Sequence, residues 1–456
     1  MKITISDLKK ISGSEFLNKE LIQPISGISI DSRKLKEGDL FFAIKGENFD
    51  GHNFVDEVIS KGASAVVIEK SQIEKFQSKK YPLVIVEDTV KALGELANIY
   101  RKKFDVKIIG LTGSNGKTTT KEMIARVLSS KYKTLKTEGN LNNNIGVPLN
   151  LFRLDKSYEL AVIEMGINHF GEMKVLCEIA DPDYGLITNI GNAHIEFLES
   201  REKIAEEKGE LFKYLKKKNG FAFVNADEKL IKKQAKDVKR KLTFGFNSNS
   251  DVRGKIQSLN NLAQPSLKVS YKGKSEFINL PTFGIHTAQN ALCAISVGLK
   301  FGISLKKIKQ ELESFQSYDK RMQLIDAGNF TIINDAYNAN PDSMRMAIKT
   351  LSMMNGYSDK LAVLGDMLEL GKDSEKYHRE LAHYLKENGI EKAFFFGEFT
   401  QLSHEEAQSL KLFSKHFDDK KKLAEEILSL LPEGSLILLK GSRKMRMEEI
   451  IEYLKG

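Results

Sequence analysis

Short apolar runs that stop at a polar residue or glycine and then give way to helical patterns leave this chain little beyond an α/β fold on parallel sheets. In the middle of the chain they are Val106 to Leu111, Leu160 to Ile163, Tyr184 to Asn189 and Gly220 to Asn225. Phe330 to Asn334, Leu361 to Leu364, Ala393 to Phe396 and Leu436 to Leu439 repeat the alternation toward the C-terminus. Ligands bind such sheets outside the carboxyl ends of the strands. The residues that follow each run are therefore where chemistry is expected: Glu164, Asn189 to Glu196, Asp335, Gly365-Asp366, Gly397-Glu398 and Lys440-Gly441-Ser442.

The flanking regions differ. The first hundred residues read as a small mixed α/β unit, with strand candidates at 27–30, 40–44, 65–68 and 83–86. An amphipathic helix over 89–104, with Leu93, Leu96, Ala97 and Tyr100 on one face, connects it to the next unit. Residues 242–283 alternate strands with Asn, Ser and Gly turns, which suggests an antiparallel extension of the central sheet. At roughly 150 residues per domain, the 456 residues predict three domains. The expected divisions are a small N-terminal domain at 1–103, a central doubly wound P-loop domain at 104–317 and a C-terminal Rossmann-like α/β domain at 318–456.

One strand end stands out. Val106 to Leu111 runs into Thr112-Gly113-Ser114-Asn115-Gly116-Lys117-Thr118-Thr119-Thr120, followed by the helical Lys121 to Leu128. A strand, a Gly-rich turn and a helix opening on Gly-Lys-Thr make a nucleotide-phosphate cradle. Backbone N–H groups of Gly113 to Thr119 face the anion, Lys117 supplies a charge, and the Thr118 hydroxyl suits Mg²⁺. The usual motif has a glycine where this chain has Leu111, so the loop is a compact Thr-Gly-x-x-Gly-Lys-Thr.

Charge and cysteines narrow the setting. The net charge of +9, from 70 Lys+Arg against 61 Asp+Glu, reads as spread along the chain. Lys216 to Lys218 and Lys420 to Lys422 read as solvated helix ends, so no nucleic-acid partner is expected. Cys177 and Cys293 lack metal-ligand spacing and are expected to be core residues in a reducing compartment. With no signal-peptide pattern and no apolar run of about 20 residues, the expectation is a cytoplasmic protein without a membrane span.

Further polar constellations sit at loops. Glu164 can bind Mg²⁺ from its strand end, and His194 in Asn-Ile-Gly-Asn-Ala-His-Ile-Glu offers a metal ligand or phosphate contact. Asn140 to Pro148 carries four Asn within five positions before Gly-x-Pro, a donor- and acceptor-rich turn. Asn334 to Pro341 ends a strand in amides and a carboxylate, and a helix starts after Pro341. Lys208, within Glu206-Glu207-Lys208-Gly209-Glu210, reads by spacing as part of a solvated helix face.

Together these motifs resemble the Mur ligase family. The resemblance is carried by the P-loop, Glu164-Met165-Gly166-Ile167-Asn168-His169, Asn192 to Glu196, Glu207 to Glu210, His286 to Ala291, Arg321-Met322-Gln323, Asp335 to Pro341 and Lys440 to Arg443. Asp31-Ser32-Arg33, Gly38 to Phe41 and Lys45 to His52 echo the family's N-terminal, UDP-substrate-binding module. The resemblance covers essentially the whole chain and keeps the motifs in order. It implies ATP-dependent amide-bond formation in peptidoglycan precursor synthesis, in which a UDP-N-acetylmuramoyl-tripeptide is activated as an acyl phosphate and captured by D-alanyl-D-alanine.

Residue by residue, the resemblance implies Lys117, His194 and Lys208 in catalysis, with Lys208 carbamylated. It implies Thr118, Glu164, His194 and Lys208 around two Mg²⁺ ions. For ATP it implies Gly113 to Thr119, Asn290, Arg321 and Asp335; for the UDP-linked substrate and the dipeptide, Ser32, Arg33, Asn144, Asn168, His169, Tyr337 and Asn338. A monomer is expected. A related ligase adding a single amino acid or glutamate, a folylpolyglutamate synthetase included, is the nearest alternative. The N-terminal module and Asp335 to Pro341 weigh against it. A P-loop nucleic-acid motor would need an Arg/Lys stripe, and a catalytically dead binding module would not need Lys117, Thr118 and Glu164.

Overall fold

The computed structural model describes residues 3–192, 195–246, 249–316 and 320–455. The chain separates into two compact units. One comprises Met1–Leu111, Tyr132–Ile167 and Gly171–Gly185; the other comprises Thr112–Lys131, Asn168–Phe170 and Leu186–Gly456.

In the first unit a five-stranded sheet has the order Glu15–Leu17, Leu83–Val86, Ala65–Glu69, Asp39–Phe42, Gly27–Ser29. All its pairings are parallel except that of the edge strand Glu15–Leu17. Asp39–Phe42 and Leu83–Val86 are buried throughout, as expected for strands covered on both faces. The expected connecting helix forms over Thr89–Arg101, capped by the Asp88 carboxylate, which accepts from the N–H groups of Val90 and Lys91. Leu93, Leu96, Ala97 and Tyr100 are its buried face. It ends at Arg101 rather than 104; the Arg101 guanidinium donates to the carbonyls of Ala180 and Asp181 and pairs with Asp183. The same unit pairs Leu160–Glu164 in parallel with both Lys107–Thr112 and Thr134–Lys136. Thr134–Lys136 is too short and too polar to register as a strand in the sequence.

The second unit continues the alternation. Phe221–Asn225 pairs in parallel with Arg240–Gly245, and that strand pairs in parallel with the start of Val252–Leu259. Pro265–Tyr271 and Lys274–Asn279 then add the antiparallel extension expected between 242 and 283. A six-stranded sheet follows in the order Gln323–Asp326, Phe330–Asn334, Ser435–Lys440, Lys360–Gly365, Lys392–Phe396, Phe413–Phe417. It is parallel apart from the Gln323–Asp326 edge. Strand alternation divides its apolar residues between two cores. Ile333, Leu364, Phe395 and Leu438 face one cluster with Ile348 and Leu381; Ile332, Val363, Phe394 and Ile437 face the other with Ile427 and Ile450. Each fully buried Phe or Leu in these layers contributes about 1.5–3 kcal/mol relative to exposure.

The layering fixes where polar residues can go. With both faces covered, Asp335, Asp366, Gly397 and Gly441 fall just past the carboxyl ends of their strands. Both cysteines are buried free thiols, and burial pushes the Cys293 thiol upward. Among the described residues no helix is long and apolar enough to cross a membrane.

Candidate active site

The phosphate-cradle motif forms the turn expected of it. Lys107–Thr112 delivers the loop, and the helix Lys117–Ser129 begins after Gly116. Gly116 adopts φ 74°, and a Cβ there would sit 2.6 Å from Asn290 Oδ1. Backbone conformation and the close approach of Asn290 both demand glycine. This contact brings the expected ATP residue Asn290, itself buried, against the loop.

The segment after Tyr184–Ile187 ties the loop down. Ser114 N donates to Asn189 O at 3.0 Å, and Asn115 N donates to Asn189 Oδ1 at 2.9 Å. Asn189 Nδ2 and Thr188 Oγ1 both donate to Asn115 O, at 2.9 and 2.7 Å. Two N–H groups expected to face an anion are therefore used inside the protein. The N–H groups of the first helical turn, Lys117 to Thr119, have no carbonyl of an earlier turn to bond and remain the cradle's donors. Lys117 Nζ curls back to Gly113 O at 2.8 Å, and Thr118 is buried at the start of the helix.

A second wall comes from the C-terminal sheet. Asn340 caps the helix Pro341–Met353 by accepting from Ser343 N, and its Nδ2 donates to Asn115 Oδ1 at 2.8 Å. Asp342 Oδ2 accepts from Asn192 N at 2.7 Å. One turn earlier, Asp335 accepts from Met322 N at 3.1 Å and from Lys440 Nζ at 2.6 Å. Lys440, only 2% exposed, also donates to Asn338 O at 2.8 Å. The Arg321 guanidinium lies 3.9 Å over the Tyr337 ring. Of the expected residues, Asp335 and Asn338 thus meet the buried Lys440, while Arg321 stacks on Tyr337.

His286 lies on the helix Ile285–Lys300, which also carries Asn290. Burial holds its imidazole below the ordinary range, while Asp335 draws it up and Lys440 pushes it down. Its Nδ1 and Gln289 Nε2 are buried without a hydrogen-bond partner among the described residues. Orphaned polar atoms beside a phosphate cradle fit a polar ligand such as a nucleotide.

In the first unit, Glu164 is buried at its strand end. Its N–H donates to Thr137 Oγ1 at 2.9 Å, and its Oε1 accepts from Asn142 Nδ2 at 2.9 Å. Asn143 instead stabilises the turn, accepting from Gly146 N at 2.8 Å, while Asn144 is exposed. Ser32 is buried, and Arg33 is exposed in a two-pronged pair with Asp31, whose carboxyl it lowers to about 2. His52 of the Lys45 to His52 motif is buried, facing Asp50 Oδ1 at 2.6 Å and accepting from Glu69 N at 3.1 Å.

One expectation changes here. Lys208, on the helix Arg201–Lys218, is 1% exposed rather than part of a solvated face, because it lies on the side of the helix that also buries Ile204, Leu211 and Leu215. His194 lies outside the described residues, as does the expected domain boundary at Tyr318. In the second unit Asn168 and His169 are exposed, and the His169 ring lies 4.7 Å from that of Phe197.

Comparison with known proteins matches three successive segments. Residues 24–101 match "Mur ligase family, catalytic domain", 111–298 match "Mur ligase middle domain", and 320–443 match "Mur ligase, glutamate ligase domain". The chain is 37% identical to the UDP-N-acetylmuramoyl-tripeptide–D-alanyl-D-alanine ligase of Bacillus subtilis (strain 168), covering 100% of this chain and 98% of that protein. A crystal structure of MurF from Acinetobacter baumannii superposes with a TM-score of 0.90 at 33% identity, covering 100% and 99%. MurF ligase from Thermotoga maritima, solved in complex with ADP, follows with a TM-score of 0.82 at 30% identity, covering 94% and 96%.

Proposed function

This chain belongs to the Mur ligase family, and we propose that it joins D-alanyl-D-alanine to a UDP-N-acetylmuramoyl-tripeptide at the expense of ATP. The observation that carries this reading is end-to-end similarity to ligases of that name, with a P-loop turn in place. Within the family's three-domain α/β architecture, we assign 1–103 to the UDP-linked substrate, 104–317 to ATP and 318–456 to closing the ligase site.

The chemistry follows from the poor electrophilicity of a carboxylate. Transfer of the terminal phosphoryl group of ATP to the tripeptide carboxylate releases ADP and gives an acyl phosphate. The dipeptide amine attacks that carbonyl, the C–N bond forms, the amine loses a proton and phosphate leaves. Lys117 is assigned to offset charge on the transferring phosphoryl group, alongside the N–H groups of the first helical turn. Asn290, Arg321 and Asp335 are assigned to ATP. Ser32 and Arg33 are assigned to the UDP moiety, Asn144, Asn168 and His169 to the sugar-peptide, and Tyr337 and Asn338 to substrate.

Mg²⁺ fits the donor set, because a threonine hydroxyl and a glutamate carboxylate are hard oxygen ligands. Thr118 and Glu164 would each supply one, with Asn142 orienting the carboxylate. When bound, the metal would neutralise phosphate charge. Carbamylated, the buried Lys208 would supply a further anionic oxygen pair, as the resemblance implies.

Phosphate release from ATP in the presence of each acceptor tests the assignment. Turnover should require both the UDP-linked tripeptide and D-alanyl-D-alanine. Equal turnover with a single free amino acid would refute it.

A further inference from the structure

The net charge is not spread along the chain. Residues 213–241 hold eleven Lys or Arg against three Asp or Glu, a net of +8 in a chain whose total is +9. All eleven basic residues are exposed: Lys213, Lys216, Lys217, Lys218, Lys229, Lys232, Lys233, Lys236, Lys239, Arg240 and Lys241. They come from the end of the helix Arg201–Lys218, the helix Lys229–Gln234, the turn after it (Lys236 and Lys239) and the start of the strand Arg240–Gly245.

These elements form one face. The Gln234 side chain abuts Gly209, Lys216 Nζ meets Asp237 Oδ2 at 2.9 Å, and the Arg240 guanidinium donates to Asn219 O at 3.2 Å. Among the acids, Asp227 turns inward to accept from Phe246 N at 2.7 Å and Glu228 is half-buried, leaving only Asp237 exposed. The helix macrodipole accounts for lysines at 216–218, near a helix C-terminus. It does not account for Lys229 at a helix start or for Arg240 and Lys241 on a strand.

We propose that this face docks the protein, reversibly and electrostatically, on an anionic lipid surface. Ten of the eleven cations are lysine, a point charge suited to a diffuse field of headgroups, whereas planar phosphate recognition favours Arg. Single-stranded nucleic acid needs aromatic platforms. Here Phe221 and Phe223 are buried and Tyr214 is half-buried, and none of the exposed large apolar side chains falls in 213–241. With nothing apolar to insert, attachment rests on charge alone and weakens as salt rises.

The test is co-sedimentation of the full chain with phosphatidylcholine vesicles, with and without roughly 30% phosphatidylglycerol, at about 50 and about 300 mM salt. Binding to the anionic vesicles only, lost at the higher salt, is expected. Lys→Gln at 216, 217, 232, 233 and 236 together should lower the bound fraction on the order of tenfold or more, and Lys→Arg at the same sites should retain it. A melting curve of each variant reports folding, and the wild-type comparison stands without either. Equal binding to neutral vesicles, capture of a poly-uridine RNA without vesicle binding, or no binding to either would each overturn the proposal. Vesicle binding does not depend on the acceptor specificity of the ligase, so the two readings fail separately.

Discussion

Lys440→Met tests whether a buried cation holds the second wall of the site together. Lys440 is 2% exposed and Asp335 16%, with 2.6 Å between Nζ and Oδ2. Removing one partner of a fully buried pair costs about 3–5 kcal/mol, because the other charge is stranded. Asp335 keeps Met322 N and some access to water, which brings the expectation to about 2–3 kcal/mol. Asn338 O loses its donor in the same step. Hydrogen exchange at the buried strand amides of Ile332 and Leu438 reads the free energy of opening this sheet. Asp335→Asn in the Lys440→Met background removes the stranded charge and should restore about 1–2 kcal/mol. An ATP KM that rises in Lys440→Met while the dipeptide KM holds would place the effect at the nucleotide. If the single substitution costs under about 0.5 kcal/mol, or the two are additive within that margin, the reasoning fails.

Other expectations concern single residues. Gly116→Ala forces a side chain into left-handed φ, at about 1–2 kcal/mol, and into Asn290; ATP binding by calorimetry should weaken at least about tenfold, and unchanged affinity would contradict the geometry. Asn142→Ala removes the amide donor to Glu164 Oε1 and should reduce kcat by about 10–100-fold, with higher Mg²⁺ needed for half activity. Lys208→Ala should abolish turnover, with partial rescue by a small added carboxylate; full activity in the variant would exclude the carbamate. His378 is buried, its Nδ1 donating to Ser374 O at 2.7 Å and its Nε2 accepting from Met367 N at 3.0 Å, and burial holds its imidazole below its ordinary value. The unfolded chain therefore takes up the proton first. This contribution is complete above the unfolded pKa of about 6.5 and is lost as pH falls through it toward the folded value, at up to about 1.4 kcal/mol per pH unit. Urea midpoints compared at about pH 7.5 and about pH 5.5 should shift less in His378→Gln.

Much of this was legible in the sequence, for identifiable reasons. Phe330–Asn334 and Ser435–Lys440 carry buried apolar runs that only a covered parallel strand explains, and the P-loop is a local motif whose parts are neighbours in the chain. Thr134–Lys136, Gln323–Asp326 and Phe413–Phe417 were missed because they are short strands with partly exposed side chains, formed by pairing rather than by burial. The roles of individual polar residues were hidden by distance. Lys440 finds Asp335 across 105 residues, Asn340 finds Asn115 across 225, and Asn142, one of four Asn within five positions, finds Glu164 across 22. Lys208 looked solvated because charged neighbours surround it, whereas helical period turns it inward with Ile204 and Leu211.

The Asn340 amide serves two structures at once. Its oxygen accepts from Ser343 N at the start of its own helix, which leaves the NH2 group as the half facing Asn115. As a helix cap, Asn and Asp are nearly interchangeable, but only Asn has a hydrogen to give. Asp at 340 would keep the helix and set two oxygens against each other at the nucleotide loop. One nitrogen atom thus separates what folds the third domain from what registers it on the phosphate cradle.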